Sequence, residues 1–237
     1  MDIDGDGRRD ILSGSYSRMT NDMAGLFQVL HGKEDGTFGK AEVLKGTDGE
    51  PLIIPVQSKP GKGEDWVNNI CTRPFAVDWD GDGDLDILSG SSEGGVQWAE
   101  NCAGAGKPPR LEPFRSIIPH GPQLGYGSIL RDEDLKGPLT DTRIWVDDVN
   151  GDGKLDLLVG DLAPLISPAD GLSETQFKKR FEEWMKARGE ASEKMRAEVK
   201  DEKERRKAQQ QIQDLYQQRT QFMKEERTGF VWLYLRK

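Results

Sequence analysis

Histidine and cysteine are scarce in this chain of 237 residues, which has two of each. His31 and His120 stand in turn-like segments, and nothing near either of them in the sequence completes a nucleophile–base pair. The spacing of Cys71 and Cys102 defines neither a metal site nor a redox motif, and we expect two free buried thiols in preference to a disulfide. The sequence therefore gives no sign of a zinc site or of thiol chemistry.

Long apolar runs and basic stripes are also missing. No apolar stretch approaches the ~20 residues that a helix needs to span a bilayer. The net charge is −9, and lysine and arginine do not gather into a stripe that could follow a phosphate backbone. No signal peptide is visible at the N-terminus. A membrane span and a nucleic-acid partner are therefore both disfavoured.

The acidic residues are concentrated in a string that occurs three times. It reads DIDGDGRRDILSGSYS from Asp2, DWDGDGDLDILSGSSE from Asp78 and DVNGDGKLDLLVGDLA from Asp148. An apolar segment that begins with glycine follows each string: GLFQVL, GVQWAE and, after a long interruption, GFVWLY. Each unit therefore predicts an acidic loop, a short buried strand, a turn and a second strand. Aligning the three segments puts Trp98 and Trp232 at equivalent places.

Oxygen-bearing side chains occupy positions 1, 3, 5 and 9 of each string, and glycine occupies positions 4 and 6. Glycine there allows the positive φ of a tight loop, and a backbone carbonyl at position 7 can add a further oxygen. Such an all-oxygen shell is what Ca²⁺ prefers, and three bound ions would bring the net charge from −9 to about −3. The predicted ligands are Asp2, Asp4, Asp6, Arg8 and Asp10; Asp78, Asp80, Asp82, Asp84 and Asp86; and Asp148, Asn150, Asp152, Lys154 and Asp156.

The loops are not EF-hands. An EF-hand requires glutamate at position 12 and a helix on either side, whereas position 12 is Ser13, Ser89 or Val159 here. The residues before and after the loops are aliphatic or aromatic and are bounded by glycine, which is typical of strands. Each loop therefore joins two strands.

These features resemble the FG-GAP or VCBS-type repeats of β-propellers, such as those in the head of the integrin α-subunit. The motif of that family is D-x-D-x-D-G-x-x-D between the first two strands of a blade, and only Asn150 departs from it. The resemblance covers about residues 1–162 and 228–237. It implies calcium-binding propeller blades and, as in many members of that family, a protein or glycan ligand.

The expected fold is mainly β: a partial β-propeller of about three antiparallel blades, with an inserted antiparallel α-helical hairpin. A closed propeller needs about four to eight blades, so we expect the chain to be the C-terminal portion of a longer one. Three blades closed by a partner chain are the less favoured alternative. We also expect the first blade to lack its leading strand and to leave an apolar face.

Residues 163–227 are predicted to form the hairpin, between blades at 1–162 and a returning strand at 228–237. Ser173 and Gln176 predict a capping box, and the 55 residues from Ser173 to Arg227 contain no proline. One continuous helix would be ~80 Å long, so the chain must reverse, near Lys200 to Arg206. The apolar residues expected to meet near the base are Phe177, Phe181, Trp184, Leu215, Phe222 and Met223.

Two functions remain open. The first is a non-catalytic, calcium-stabilised module that binds a protein or glycan. Its hairpin is expected to be a solvated spur packed on the propeller, with a docking arm for a partner as the less favoured alternative. The second is a propeller-type polysaccharide lyase or sugar dehydratase, although no catalytic constellation is visible. Weak calcium sites suit millimolar calcium, so we expect an extracellular, cell-surface or periplasmic location and calcium loops that are structural.

Overall fold

The computed structural model describes residues 1–16, 25–55, 71–122, 127–196 and 202–237, without the side chains of Arg196 and Glu202. The chain is mainly β, with three antiparallel sheets and two helices, as expected. It forms two compact units. The first contains Met1–Pro122, Lys136–Ala163 and Gly229–Lys237, and the second contains Gln123–Leu135 and Pro164–Thr228. No helix in the described ranges is long and apolar enough to cross a membrane.

The first unit consists of sheets that follow one another along the chain. The first sheet contains β1 (Ile11–Ser13), β2 (Gln28–Leu30) and β3 (Glu42–Val43). The second contains β4 (Arg73–Val77), β5 (Asp86–Gly90), β6 (Val96–Ala99) and β7 (Arg115–Ile118). The third contains β8 (Thr140–Asp147), β9 (Asp156–Pro168) and β11 (Val231–Tyr234). A further strand, β10 (Met223–Thr228), also pairs with β9 and belongs to the second unit.

Every strand expected on either side of an acidic loop is present. The first sheet has no counterpart of β4 or β8 among the described residues. Ile11 in β1 is 42% exposed, so this sheet does leave an apolar side chain uncovered. The two strands that flank the long interruption pair as expected, since β11 lies antiparallel to β9 with Trp232 opposite Val159.

The expected equivalence of Trp98 and Trp232 is wrong by one residue. Trp98 lies opposite Leu88, the eleventh position of its repeat, whereas Trp232 lies opposite Val159, the twelfth. The alignment began the second segment at Gly95, but an additional glycine, Gly94, precedes it. The strand pairing of the second repeat is therefore shifted by one residue relative to that alignment. A one-residue step turns a side chain to the other face of a sheet. The two tryptophans nevertheless contribute to the same apolar cluster, each half-buried.

Consecutive sheets pack face to face by one rule. In the second sheet, Ile87 at position 10 packs towards the first sheet, and Leu88 at position 11 packs towards the third. Leu12, at position 11 of the first repeat, faces Ile87, and Leu157, at position 10 of the third, faces Leu88. Positions 10 and 11 lie on opposite faces of a sheet, because successive side chains of a strand alternate. The face that carries position 11 in one sheet packs on the face that carries position 10 in the next sheet.

A repeated pair of hydrogen bonds ties each sheet to the next. Thr72 Oγ1 accepts the N–H of Ser15 at 2.8 Å, and the N–H of Thr72 donates to the Ser15 carbonyl at 3.2 Å. Thr142 and Ser91 repeat both bonds, each at 3.0 Å. The signal that sequence reasoning missed is a Thr-Arg pair that begins six residues before the second and third loops.

The residue before each threonine has a left-handed backbone. Cys71 has φ 56° and Asp141 has φ 53°, and no other described non-glycine residue has a positive φ. This backbone conformation is strained for a residue that has a side chain, and it persists only where the surrounding structure compensates. The hydrogen bonds that Thr72 and Thr142 make with the preceding sheet provide that compensation. Cys71 and Cys102 form no disulfide, and both are half-buried. Free thiols were expected, although the expectation that they are buried is only partly met.

The second unit contains α1 (Glu174–Arg196) and α2 (Glu202–Arg219), followed by β10 (Met223–Thr228). The capping box is confirmed: the N–H of Ser173 donates to Gln176 Oε1 at 2.9 Å, and the N–H of Gln176 donates to Ser173 Oγ at 3.3 Å. The helices run in opposite directions, and Trp184 Nε1 donates to the Leu215 carbonyl at 2.7 Å. The expected apolar base is confirmed, with Phe177, Trp184, Phe222 and Met223 buried together and Phe181 and Leu215 packed against them.

Three features of this unit differ from the prediction. The expectation of helix up to Arg227 is wrong, because Met223–Thr228 is a strand beside β9, where each strand satisfies backbone groups of the other. Of the expected reversal near Lys200 to Arg206, the residues from Glu202 onwards belong to α2, and Lys200 lies outside the described residues. Leu130 belongs here too, since it exchanges two backbone hydrogen bonds of 2.8 Å with Ile166.

Gly90 and Gly160 occupy the same position of the second and third repeats and provide a matched test of the sheet packing. A Cβ at Gly90 would lie 2.3 Å from the Thr142 carbonyl oxygen, whereas at Gly160 the nearest atom is 3.9 Å away. We expect Gly90→Ala to lower the free energy of unfolding by roughly 1–3 kcal/mol in urea titrations. Gly160→Ala should change it by less than about 0.5 kcal/mol. Equal losses in both variants would contradict the packing rule.

Candidate metal centres

The carboxylates of each loop hold the backbone of that loop in a fixed form. The first-position carboxylate accepts the N–H of the sixth residue, the third-position oxygen accepts that of the fifth, and the fifth-position carboxylate accepts that of the seventh. The three loops share all of these bonds, with lengths between 2.8 and 3.2 Å. The loops are therefore three copies of one structure, although their remaining residues differ.

The glycines at positions 4 and 6 all have a positive φ, as predicted. The values are 72° and 85° in the first loop, 86° and 94° in the second, and 75° and 82° in the third. Gly5 also permits a close contact, because a Cβ there would lie 2.3 Å from the Cα of Gly106. Glycine thus serves both the loop curvature and, in the first loop, its packing.

The ninth-position aspartate of each loop is buried and bonded at both oxygens. Asp86 Oδ1 accepts the N–H of Asn101 at 2.7 Å, and Oδ2 accepts that of Trp79 at 3.0 Å. Asp10 and Asp156 repeat the arrangement, with bonds of 2.9 to 3.2 Å. Each ninth-position carboxylate therefore joins the start of its loop to a residue just beyond the strand that pairs with the strand after the loop. These residues are Gly32, Asn101 and Arg236. These partners are backbone groups, so their residue types gave no signal in the sequence.

Burial raises the pKa of Asp86 from its ordinary value of 3.8 to about 6, although its hydrogen bonds from Asn101 and Trp79 oppose the shift. Burial also raises the pKa of Asp80 and of Asp84. The negative charge of Asp82 adds to both shifts, although the N–H of Asp82 lowers the pKa of Asp80 and the N–H of Gly104 lowers that of Asp84. Keeping these carboxylates ionised together therefore costs free energy. A cation in the second loop would offset that cost.

The residues present fit a hard divalent cation. Carboxylate oxygens of Asp78, Asp80 and Asp82 lie within 4.8 Å of one another, and those of Asp2, Asp4 and Asp6 do the same. Asp84 is buried, and its Oδ1 has no hydrogen-bond partner, although its Oδ2 accepts the N–H of Gly104. Oxygen donors of this density are what Ca²⁺ binds.

The three loops differ in the charges that surround them. In the first, the guanidinium of Arg8 pairs with Asp6. In the second, position 7 is Asp84. The sequence analysis counted only the backbone carbonyl of this residue, but its side chain adds a further carboxylate. In the third, Asn150 Nδ2 donates to Asp152 Oδ2 at 3.2 Å, and position 7 is Lys154. The donor set of the second loop is thus the most strongly anionic.

His31 lies beside the first loop, although the sequence suggested only a turn residue. Its Nδ1 is 3.1 Å from Asp4 Oδ2 and 3.5 Å from Asp10 Oδ1. No spacing within the loop string could reveal this contact, because β2 brings His31 there from 21 residues beyond Asp10. His120, by contrast, faces the backbone carbonyl of Glu93, 3.1 Å from its Nδ1.

An open cleft of about 330 Å³ lies between the second and third loops. Asp78 and Asp80 form one side, and Lys154 and Arg236 contribute to the other. Arg236 also covers the ring of Trp79, with its guanidinium carbon 4.9 Å from the ring centre. The walls of the cleft include loop residues, so the loops fix its shape.

The raised pKa of Asp86 predicts an unusual pH dependence for the metal-free protein. The folded pKa of about 6 exceeds the ordinary 3.8, so the stabilisation is complete below about 3.8 and is lost as pH rises through 6. We expect the free energy of unfolding to rise by about 1 kcal/mol between pH 7 and pH 5 in EDTA.

Urea titrations of wild type and Asp86→Asn at both pH values isolate this contribution, because the variant should lose the rise. Saturating Ca²⁺ should reverse the slope, because protons then compete with the ion. Parallel slopes for the two proteins in EDTA would contradict the assignment.

Comparison with protein-family models, with curated proteins and with solved structures finds no match for this chain. The case for the loops as cation sites therefore depends on their own geometry. Its strongest element is that one chain repeats the same set of carboxylate-to-backbone bonds in three separate loops.

Proposed function

We propose that this chain forms calcium-stabilised blades of a β-propeller of the FG-GAP or VCBS-repeat type. In this proposal the blades act outside the cell as a non-catalytic module that binds a protein or a glycan. The observation that carries the proposal is the threefold repetition of the loop, each copy with the same glycine conformations and the same buried ninth-position aspartate.

Calcium is favoured by the chemistry of the donors. Side-chain oxygens, carboxylate apart from Asn150, occupy positions 1, 3, 5 and 9 of every loop, and Ca²⁺ accepts six to eight such ligands in flexible geometry. The unpartnered oxygen of the buried Asp84 supports a cation in the second loop in particular. Asn150 and Lys154 reduce the negative charge of the third loop, so we rank its affinity for calcium below that of the second.

A propeller is supported by the way the sheets stack. Both junctions between consecutive sheets use the same faces and the same threonine bonds. In the third sheet, position 11 is Leu158, which lies between its cross-strand partners Trp145 and Leu233. These three residues mark the face that would pack on a following sheet. Trp145, whose ring contacts Phe75, is 58% exposed and Leu233 is 50% exposed, so this face is apolar and largely exposed within the unit. A further sheet of the same repeat would cover it as the other two faces are covered.

A structural role for the ion is supported by how the carboxylates are engaged. A catalytic metal needs an open coordination position with an acid or a base beside it. The loop carboxylates instead hold their own backbone, and Asp86 is bonded at both oxygens. The ion would then brace one strand against the next, and weak sites of this kind suit extracellular calcium.

The calcium content is tested by titrating the metal-free chain with Ca²⁺ in a calorimeter and by thermal melts. We expect about three ions per chain and a melting temperature that falls in EDTA, since each site occupied at a hundredfold excess adds about 2.7 kcal/mol. Asp82→Ala should remove one ion, whereas Asp170→Ala should remove none, because Asp170 lies outside the loops, is highly exposed and pairs with Lys224. A melt unaffected by EDTA would contradict the proposal.

The binding role is tested by screening the immobilised chain, in Ca²⁺, against glycans and extracellular proteins. We expect binding without turnover. The loss of binding in Asp82→Ala should match its loss of folded protein, because the ion supports the fold and does not contact the ligand. Cleavage of a polysaccharide would refute the non-catalytic role, and binding lost from a fully folded variant would refute the purely structural role of the ion.

A further inference from the structure

We infer that the first loop, unlike the other two, is a mixed nitrogen–oxygen site that selects Zn²⁺ over Ca²⁺, with His31 as its nitrogen ligand. The inference rests on the proposed function only in that the loop is taken as a cation site. It assigns to the first loop a different metal from the one that the repeat pattern predicts.

The position of His31 relative to its loop recurs in all three repeats, but its residue type does not. His31, Glu100 and Leu235 each directly follow the strand paired with the strand after the loop. In each case the next N–H, that of Gly32, Asn101 or Arg236, donates to the ninth-position aspartate. Of these three residues, only His31 therefore offers an imidazole nitrogen to its loop.

The distances around His31 match the edges of a small coordination shell. Ligands about 2.0–2.1 Å from one Zn²⁺ lie roughly 3.3 Å apart in a tetrahedron. His31 Nδ1 lies 3.1 Å from Asp4 Oδ2 and 3.5 Å from Asp10 Oδ1, and the three ligand atoms all lie within 4.8 Å of one another. Imidazole nitrogen and carboxylate oxygen are both common zinc ligands.

The orientation of the ring points to a bound ion as well. The Nδ1 atom of His31 is buried and has no hydrogen-bond partner among the described residues. A buried polar atom without a partner costs free energy. The same atom faces two carboxylates, one of which, on Asp10, has a fully buried side chain. A divalent cation between these groups would satisfy the nitrogen and both oxygens together.

Arg8 makes the same loop less suitable for calcium. Its guanidinium pairs with Asp6, and its Nε donates to the Gly32 carbonyl at 2.9 Å. One of the loop carboxylates is thereby engaged by a cation of the protein itself. Calcium affinity depends on the number of charged oxygen ligands, so this pairing weakens the site for Ca²⁺. Zinc loses less, because imidazole strengthens its binding and four ligands suffice.

The experiment uses the full chain, stripped of metal and then dialysed against millimolar Ca²⁺ with Zn²⁺ in slight excess over protein. Elemental analysis should find about one zinc per chain retained in the presence of calcium. The two histidines allow direct detection by ¹⁵N NMR of the imidazole rings. Zinc should shift the ring nitrogens of His31 and leave those of His120 unchanged.

Two variants test the ligand. His31→Leu and His31→Glu reproduce the residues found at the same place in the third and second repeats, so both are compatible with this fold. Each should lower zinc affinity by at least about tenfold, since even outer-shell partners of a metal ligand contribute about 10–100-fold. His120→Leu, which removes the other histidine, should bind zinc as the wild type does.

The outcomes separate this inference from the calcium proposal. Calcium binding without retained zinc, zinc affinity unchanged in both His31 variants, or unshifted His31 signals would each overturn the zinc site. A His31 ring that is simply protonated beside Asp4 would give that last result. Zinc bound at His31 in a chain that binds no calcium would instead support the zinc site and overturn the calcium proposal.

Discussion

The buried carboxylate at the ninth position of each loop is the group on which the rest of the structure depends. It accepts one N–H from the start of its own loop. It accepts a second from the residue two positions beyond the end of the neighbouring strand. The loop, the strand after it and the next strand are thus tied at one point. Burial raises the pKa of Asp86, so this carboxylate is ionised at neutral pH only at a cost. A cation in the loop would offset the cost, which links the acidic composition to the stability of the sheets.

The stacking of the sheets follows from the same repetition. Each repeat has a glycine at position 13, and in the first two repeats this glycine lets a threonine of the next sheet approach. A Cβ at Gly14 would lie 2.1 Å from the Thr72 carbonyl oxygen, and one at Gly90 would lie 2.3 Å from that of Thr142. Backbone approach of this kind cannot be replaced by larger side chains. Loop chemistry and sheet packing are therefore fixed by residues only four positions apart, Asp86 and Gly90.

The sequence predicted what is local and repeated. The loops, their glycine conformations, the strands beside them and the capping box at Ser173 all follow from short-range patterns, and the structure contains each of them. The misplaced register of Trp98 arose because Gly94 and Gly95 offered two alignments that only strand pairing could separate. The strand at Met223–Thr228 was missed because its residues are good helix formers, and pairing with β9 overrides that preference. The contact of His31 with Asp4 depends on strand pairing, which the sequence does not state.

The three loops share a backbone structure and differ in the side chains that do not maintain it. The bonds that the three loops share use the side chains of positions 1, 3, 5 and 9. Position 7 contributes only its backbone N–H to these bonds, and the residue after the paired strand contributes none. These two places hold Arg8 and His31, then Asp84 and Glu100, then Lys154 and Leu235. Substitution there changes the charge and donor type of a site without removing a bond on which the sheet depends. A repeat built in this way can keep one fold while its copies diverge in the cation that each one holds.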